Sequence, residues 1–423
     1  MVVDANSNLS KGDSPYNDHE TCCDGNKGWI GIDGHWYDIE KFIPHHPGGD
    51  IIREFVGRDA SAVFHAFHKQ SVLKYRSPCA KMNVNVNPTE QAFAKLREHF
   101  EQAGYFETDY YWYLKKVLVL VGILFTSVTL VIKFECMLFR YLGAVALAAF
   151  WQQSGFFMHD FEHNQVTRNR HMDRNLGTFF ATFCFGVSGD WWRSDHFTHH
   201  AVTNYVCHER NFYDPQQREI IWAQNEKLFP FFTSALERFC IKLQHISFLP
   251  VCIVIGRLGI MIDSMKDERN PSQLIAFALH LAWVGTLLSF LPTPKEMLIF
   301  YLLASFLQGI LHIQLLISHY SKEFHYLNDT SVTDNWYRSQ VVSNIDIITP
   351  WWLDWFHGGL NFHLVHHLYP RMPRHNFRKA TKHVKRVCRE QNLHYDSCGW
   401  FEAVSRTDKN LRVMATHFKL DPR

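Results

Sequence analysis

Long apolar runs alternate with polar, histidine-bearing stretches over most of this chain, and that alternation predicts its architecture. The run 114–132 is apolar apart from Lys115 and Lys116 at its start, and 136–157 carries Arg140 as its single charge. Each approaches the ~20 apolar residues that cross a bilayer. The runs 274–291 and 297–316 form a second pair, joined by Pro292-Thr293-Pro294-Lys295-Glu296. The pattern therefore predicts four membrane-crossing helices in two hairpins. Two further runs fit less well: 176–187 is too short to cross and 248–262 is interrupted by Arg257, so both read as interfacial or re-entrant.

Ahead of the first run the pattern changes. Residues 1–26 are rich in Asn, Ser, Asp and Gly and read as a disordered leader. Residues 27–85 hold short mixed segments around Trp29 and Trp36, a Pro47-Gly48-Gly49 turn and a helical stretch, which together predict a small α+β module. Residues 86–113 are charged and helix-prone, as a linker with an interfacial helix would be. The expected fold is thus a small α+β domain followed by an all-α integral membrane domain over 114–423. An even number of crossings places both termini and the 158–273 stretch on one side. Arg168, Arg170, Arg174 and Arg193 follow the second crossing and favour the cytosol for that side.

Composition narrows the classes. Aromatic residues make up 15%, and histidines number 27. Lys+Arg 43 against Asp+Glu 41 leaves a formal charge of +2, which provides no nucleic-acid footprint. The ten cysteines form no CxxC pair, Cys22 and Cys23 are adjacent, and the polar acidic start lacks the basic and apolar segments of a signal peptide. A disulfide framework is not expected.

Three histidine clusters fall on the predicted cytosolic side: His159 and His163; His196, His199 and His200; His363, His366 and His367. Spacings of three and four place the members of each cluster on one helix face, where ring nitrogens can converge. One such HxxHH triple arises by chance in roughly one chain in ten of this composition, so two triples and an HxxxH are a strong metal signal. Eight imidazoles without cysteine exceed the needs of one tetrahedral zinc and suit two iron ions. His319, just past the fourth run, is a ninth candidate. His280 and His312 lie inside runs and belong to no cluster. Asp160, Glu162 and Asp195 stand among the ligands and are candidates to orient imidazole N–H groups.

The segments His45-His46-Pro47-Gly48-Gly49-Asp50, Gly57-Arg58-Asp59-Ala60-Ser61 and Phe64-His65-Ala66-Phe67-His68, after Trp36-Tyr37-Asp38-Ile39, resemble the cytochrome b5 fold. That resemblance implies His46 and His68 as the axial ligands of haem b, with His45 and His65 as the alternatives. Two imidazoles leave no open position on the iron, so such a haem carries electrons. The remainder resembles the front-end lipid desaturases, through Trp151-Gln152-Gln153 leading to His159, Asp190-Trp191-Trp192 leading to His196, and Asp354-Trp355-Phe356-His357-Gly358-Gly359 leading to His363 and on to Tyr369-Pro370-Arg371-Met372-Pro373-Arg374. It departs from them at His363, where that family usually has Gln, and at Ser318, where an Asn commonly precedes the histidine.

This second resemblance implies a multi-pass protein of the endoplasmic reticulum membrane, with two non-haem irons and O2 as co-substrate. It further implies an acyl lipid substrate, either acyl-CoA or phospholipid-bound. No dinucleotide fingerprint is present, so an NADH-dependent cytochrome b5 reductase is implied as electron donor. Three alternatives stay open: a sphingolipid long-chain-base desaturase, a b5-fused fatty acid hydroxylase, and a non-catalytic anchor with structural zinc. Asn8 and Asn328 match the N-glycosylation pattern but should face the cytosol and stay bare.

Overall fold

The computed structural model describes residues 28–83, 87–217, 222–326, 329 and 335–420. The leader, Cys22, Cys23, Asn8 and Asn328 lie outside them. The head begins with β1 (Trp29–Ile32), paired antiparallel with β2 (His35–Asp38), which pairs in turn with β3 (Ala80–Lys81). Asp33 and Gly34 both hold positive φ in the β1–β2 turn, the Asp-Gly conformation that matches the twist of a tight hairpin. Alternation sends Ile30 and Ile32 into a small core with Tyr37, Ile39 and Ile43. Helix α1 (Ser61–Phe67) buries Ala62, Val63 and Ala66, and that face packs into the same core as Leu364, Val365 and Leu368 near the other end of the chain.

Helix α2 (Pro88–Gln102) starts at Asn87, whose side chain accepts from the backbone N–H groups of Thr89 and Glu90. It occupies the stretch expected as a linker with an interfacial helix, and its apolar stripe packs inward. Phe93, Leu96 and Phe100 are buried in the polar cap, Phe93 stacks on Tyr337 at 5.2 Å, and Tyr369 donates its hydroxyl to the Phe93 carbonyl.

Helix α3 (Tyr110–Lys133) starts four residues before the predicted run, because Asp109 caps it by accepting from the Trp112 N–H. Helix α4 (Met137–Glu162) returns alongside, with Ser127 donating to the Gly143 carbonyl between the two. Helices α5 (Arg170–Thr178) and α6 (Gly189–Ala201) flank a π-helical turn over Phe179–Phe185. Helix α7 (Ala235–Val254) meets α8 (Gly256–Lys266) at a 77° bend, across the stretch expected to be re-entrant. Helices α9 (Pro271–Ser289) and α10 (Pro294–Leu316) each begin with proline at the first turn behind an Asn270 or Thr293 cap.

Among the described residues α3, α9 and α10 are long and apolar enough to cross a membrane, and the bent α7–α8 pair adds a fourth if it counts as one span. The expected second crossing, 136–157, is helical from Met137 onward but is not among them, because its second half turns to Trp151-Gln152-Gln153-Ser154 and then to the histidines. The all-α expectation for this domain also needs correction. The cap contains a small sheet, β5 (Phe212–Tyr213) beside β4 (Tyr205–Cys207) beside β6 (His325–Tyr326), and a parallel pair Asp346–Ile347 with Ser397–Cys398. Strands of two or three residues carry no alternation that a sequence pattern can register. The eight described cysteines are all free.

Candidate metal centre and haem cavity

Four segments converge in the cap. The end of α4 brings His159 and His163, α6 brings His196, His199 and His200, the helix His363–Leu368 brings His363, His366 and His367, and the turn after α10 brings His319. Their nitrogens form two foursomes, each within 4.8 Å: His159, His163, His196 and His366, and His199, His319, His363 and His367. Each HxxHH triple is therefore divided between two sites instead of converging on one. Helical geometry explains the split: at about 100° per residue, position i+3 lies about 60° to one side of i and position i+4 about 40° to the other. His199 and His366, each at i+3, belong to the foursome opposite that of His196 and His363.

His200 belongs to neither foursome. It stacks on His367 at 4.1 Å, meets His366 at 4.4 Å and has its Nε2 3.0 Å from that of His196, so it stands between the two sites. Other Nε2 pairs are as close: His159 to His366 at 2.9 Å, His319 to His363 at 2.8 Å and His199 to His319 at 3.2 Å. Two nitrogens at right angles around an ion, each ~2.1 Å from it, are separated by about 3 Å, so the donor set fits metal ions. Burial pushes His163 and His363 down to about 3 and drives His196, His366 and His367 well below the ordinary imidazole value. The rings are thereby held neutral, the form a metal binds.

Outer partners select the nitrogen that faces inward. Nδ1–H is donated by His199 to Asp214, by His319 to the Ser343 carbonyl, by His363 to the Leu360 carbonyl and by His367 to Gln340, which leaves Nε2 for the centre in all four. Two of the carboxylates expected in this role hold arginines, and the Oδ1 of Asp160 also stands 3.7 Å from the His159 Nδ1. Asp160 pairs with Arg374 at 2.8 Å and Glu162 with Arg193 at 2.5 Å, both buried. Asp195 lines an apolar pocket beside the first foursome. Asp214 was not legible in the sequence, because it reaches His199 from beyond β4 and β5, outside any helical spacing.

The α4 glutamines hold the third segment in place: Gln153 donates to the Trp355 carbonyl at 2.9 Å and Gln152 to that of Phe356. At Gly358, φ is +61° and a Cβ would sit 2.2 Å from the Phe156 ring, so glycine alone allows this approach to α4. His280 and His312 stay outside both foursomes. His280 donates Nδ1–H to the Phe183 carbonyl, and His312 lines the apolar pocket, which is about 100 Å³, reaches His159, His196 and His363, and is walled by Phe156, Leu316 and Leu360.

A second cavity, about 250 Å³, lies between His46 and His68, with Ile32, Phe55, Val63 and Phe64 in its walls. The two ring centroids are 6.1 Å apart. Imidazoles bound at ~2 Å on opposite faces of one iron have centroids about 6 Å apart, so this pair fits a haem. His46 donates Nδ1–H to the Gly49 carbonyl, while the buried Nδ1 of His68 has no partner among the described residues. The alternatives lie elsewhere: His45 is exposed, and His65 pairs with Asp33 at 2.8 Å. The far wall of the cavity belongs to the cap and includes His163 and Phe197, while Phe67 of α1 touches Phe197 at 5.5 Å and His200 at 6.3 Å.

Residues 138–399 match the family model for fatty acid desaturases, and residues 16–111 match that for the cytochrome b5-like haem/steroid binding domain. The chain is 30% identical to Delta(8)-fatty-acid desaturase 2 of Arabidopsis thaliana, covering 92% of this chain and 90% of that one. It is 26% identical to Delta(6)-fatty-acid desaturase fat-3 of Caenorhabditis elegans over 92% of this chain and 96% of that one. Similarity to the Delta 8-(E)-sphingolipid desaturase of Komagataella phaffii is 27% identity over 77% of this chain and 62% of that one.

Proposed function

Because this chain belongs to the fatty acid desaturase family and carries a cytochrome b5-like domain ahead of it, we propose that it is a front-end desaturase that places a cis double bond in an unsaturated fatty acyl chain. The single observation that carries the reading is the shared wall: His163 belongs to the first foursome and also lines the cavity between His46 and His68. An electron donor and a metal centre are thus adjacent within one chain. Iron held by the two foursomes would supply the O2 activation that removing two hydrogens from unactivated methylenes demands, at two electrons and two protons per double bond.

The protein's own residues do the rest. His46 and His68 would hold haem b, which would supply one-electron transfer, and Phe67 joins that cavity to Phe197 and His200. The apolar pocket beside His159, His196 and His363 would seat the acyl chain with one methylene pair against the centre. A separate NADH-dependent cytochrome b5 reductase would load the haem, and the substrate would be an acyl-CoA or a phospholipid-bound chain.

Four crossings and a cytosolic cap in the endoplasmic reticulum membrane suit this arrangement. Both hairpins begin and end at the cap: Asp109, ahead of α3, donates its N–H to His375 and α4 carries His159 in its last turn, while α9 starts beside Thr178 and α10 ends beside His319. On this reading α4, second in chain order, completes the four crossings despite its polar second half.

Expression in a host that lacks polyunsaturated lipids, supplied with unsaturated fatty acids, tests the proposal by locating new double bonds in the lipids. A new bond between an existing one and the carboxyl end supports it. The likeness to a sphingolipid desaturase supports a second reading, for which the new bond would appear in the long-chain base. A hydroxylated product, or purified protein holding zinc in place of iron, overturns both.

A further inference from the structure

The head builds only half of the cavity between His46 and His68. The cap closes the rest, and four of the residues it contributes are arginines: Arg170, Arg174, Arg193 and Arg371. Two of these are already committed. Arg193 pairs with Glu162 at 2.5 Å and with Asp190 at 3.0 Å, and Arg174 pairs with Asp190 at 3.0 Å. Arg170 and Arg371 make no hydrogen bond or ion pair with any described residue.

Arg371 is the more telling of the two. It is half-buried, and its backbone is fixed on both sides, by Gln165 donating to the Pro370 carbonyl at 2.8 Å and by the Met372 N–H donating to the Tyr369 carbonyl at 2.9 Å. Burial, then the neighbouring charges of Arg170 and Arg168, pull its guanidinium down to about 10, with the charge of Glu101 opposing them in part. Arg170 opens α5 on the exposed side of the same cavity, and its charge acts on both His46 and His68. A partly desolvated guanidinium that sits chiefly among like charges and bonds to no described residue is costly unless an anion completes it.

We infer that Arg371 and Arg170 hold the two carboxylates of the haem, so that the prosthetic group is clamped across the domain boundary, with its iron on histidines of the head and its acidic edge on arginines of the desaturase domain. The inference rests on reading His46 and His68 as haem ligands. Haem b joins an apolar macrocycle to two propionate groups, and the cavity joins apolar walls to two unpaired guanidiniums, which bind carboxylates in bidentate fashion. The clamp makes haem binding and domain docking one event and fixes the haem edge beside Phe197 and His163. These two arginines are positioning residues. They touch the haem and not the lipid.

The test uses the full-length chain in detergent, loaded with haem or with haem dimethyl ester, whose carboxylates are blocked. Transfer of either group to excess apomyoglobin is followed by absorbance. The unaltered chain is expected to hold haem about a hundredfold longer than the diester, and Arg170→Gln/Arg371→Gln should lose haem about a hundredfold faster, about tenfold per arginine, and no longer distinguish it from the diester. The haem potential of the double variant should move to more negative values, since positive charge near the iron favours the reduced state. Arg371→Lys should keep part of the discrimination, and Arg174→Gln, already paired, all of it. Unchanged iron content in each variant shows that the cap remains folded. Equal discrimination in the unaltered chain and the double variant overturns the clamp while leaving the haem site standing. A full-length chain that takes up no haem overturns that reading and the clamp with it.

Discussion

His199 donates its Nδ1–H to Asp214 across 2.7 Å, and neither residue reaches solvent. Asp214 also accepts from the Asn204 N–H at 2.8 Å, so its carboxylate is fixed by the backbone before it fixes the imidazole. Asp214→Asn should keep the shape but favour the wrong tautomer of His199. Iron affinity is expected to fall about 10- to 100-fold, with desaturation falling alongside. Iron stoichiometry across a chelator titration measures it, and an unchanged titration curve would remove Asp214 from the centre.

His363 stands where the family usually has Gln, yet its Nε2 is 2.8 Å from that of His319 and the side chain is buried. His363→Ala should lower bound iron from roughly two to roughly one per chain and abolish desaturation. His363→Gln should keep part of the activity, because an amide oxygen is a weaker donor at the same place. Full iron content with normal product in the Ala variant would reduce His363 to a packing residue.

Replacing His46 or His68 by Ala should remove the b-type haem spectrum and leave iron in the cap largely in place, since the two sites share a wall but no ligand. Desaturation should collapse. Activity that persisted on free cytochrome b5 in the same membranes would show that the fused head is dispensable.

The buried Glu54 of the head pairs with Arg210 of the cap at 2.7 Å. Burial lifts the Glu54 carboxyl above its ordinary 4.5, and the Arg210 charge pulls it partly back. A raised carboxyl costs the folded state nothing below its unfolded value and progressively more as pH climbs through its folded one. Arg210→Ala lifts it further and leaves a buried oxygen unpaired, at about 1–3 kcal/mol. The melting temperature of this variant should drop by a few degrees at about pH 8 and by less at about pH 5. Adding Glu54→Gln should flatten the difference. A drop of the same size at both values would assign the loss to packing alone.

The sequence by itself determined much of this protein. Apolar run length placed α3, α9 and α10, while the histidine spacings and the His-Pro-Gly-Gly turn marked both candidate sites, because helices, turns and metal-binding pairs are written in local periodicity. Tertiary structure decided the rest. His199 and His366 parted from their sequence neighbours to join opposite foursomes, His200 was left between them, and Asp214, Gln340 and the Ser343 carbonyl became the partners that set the tautomers. It also packed the apolar stripe of α2 into the cap core and brought Arg371 to the cavity of the head. Each of these relationships joins residues distant in sequence or on different elements, where periodicity carries no information and only the packing of helices against one another selects the partner.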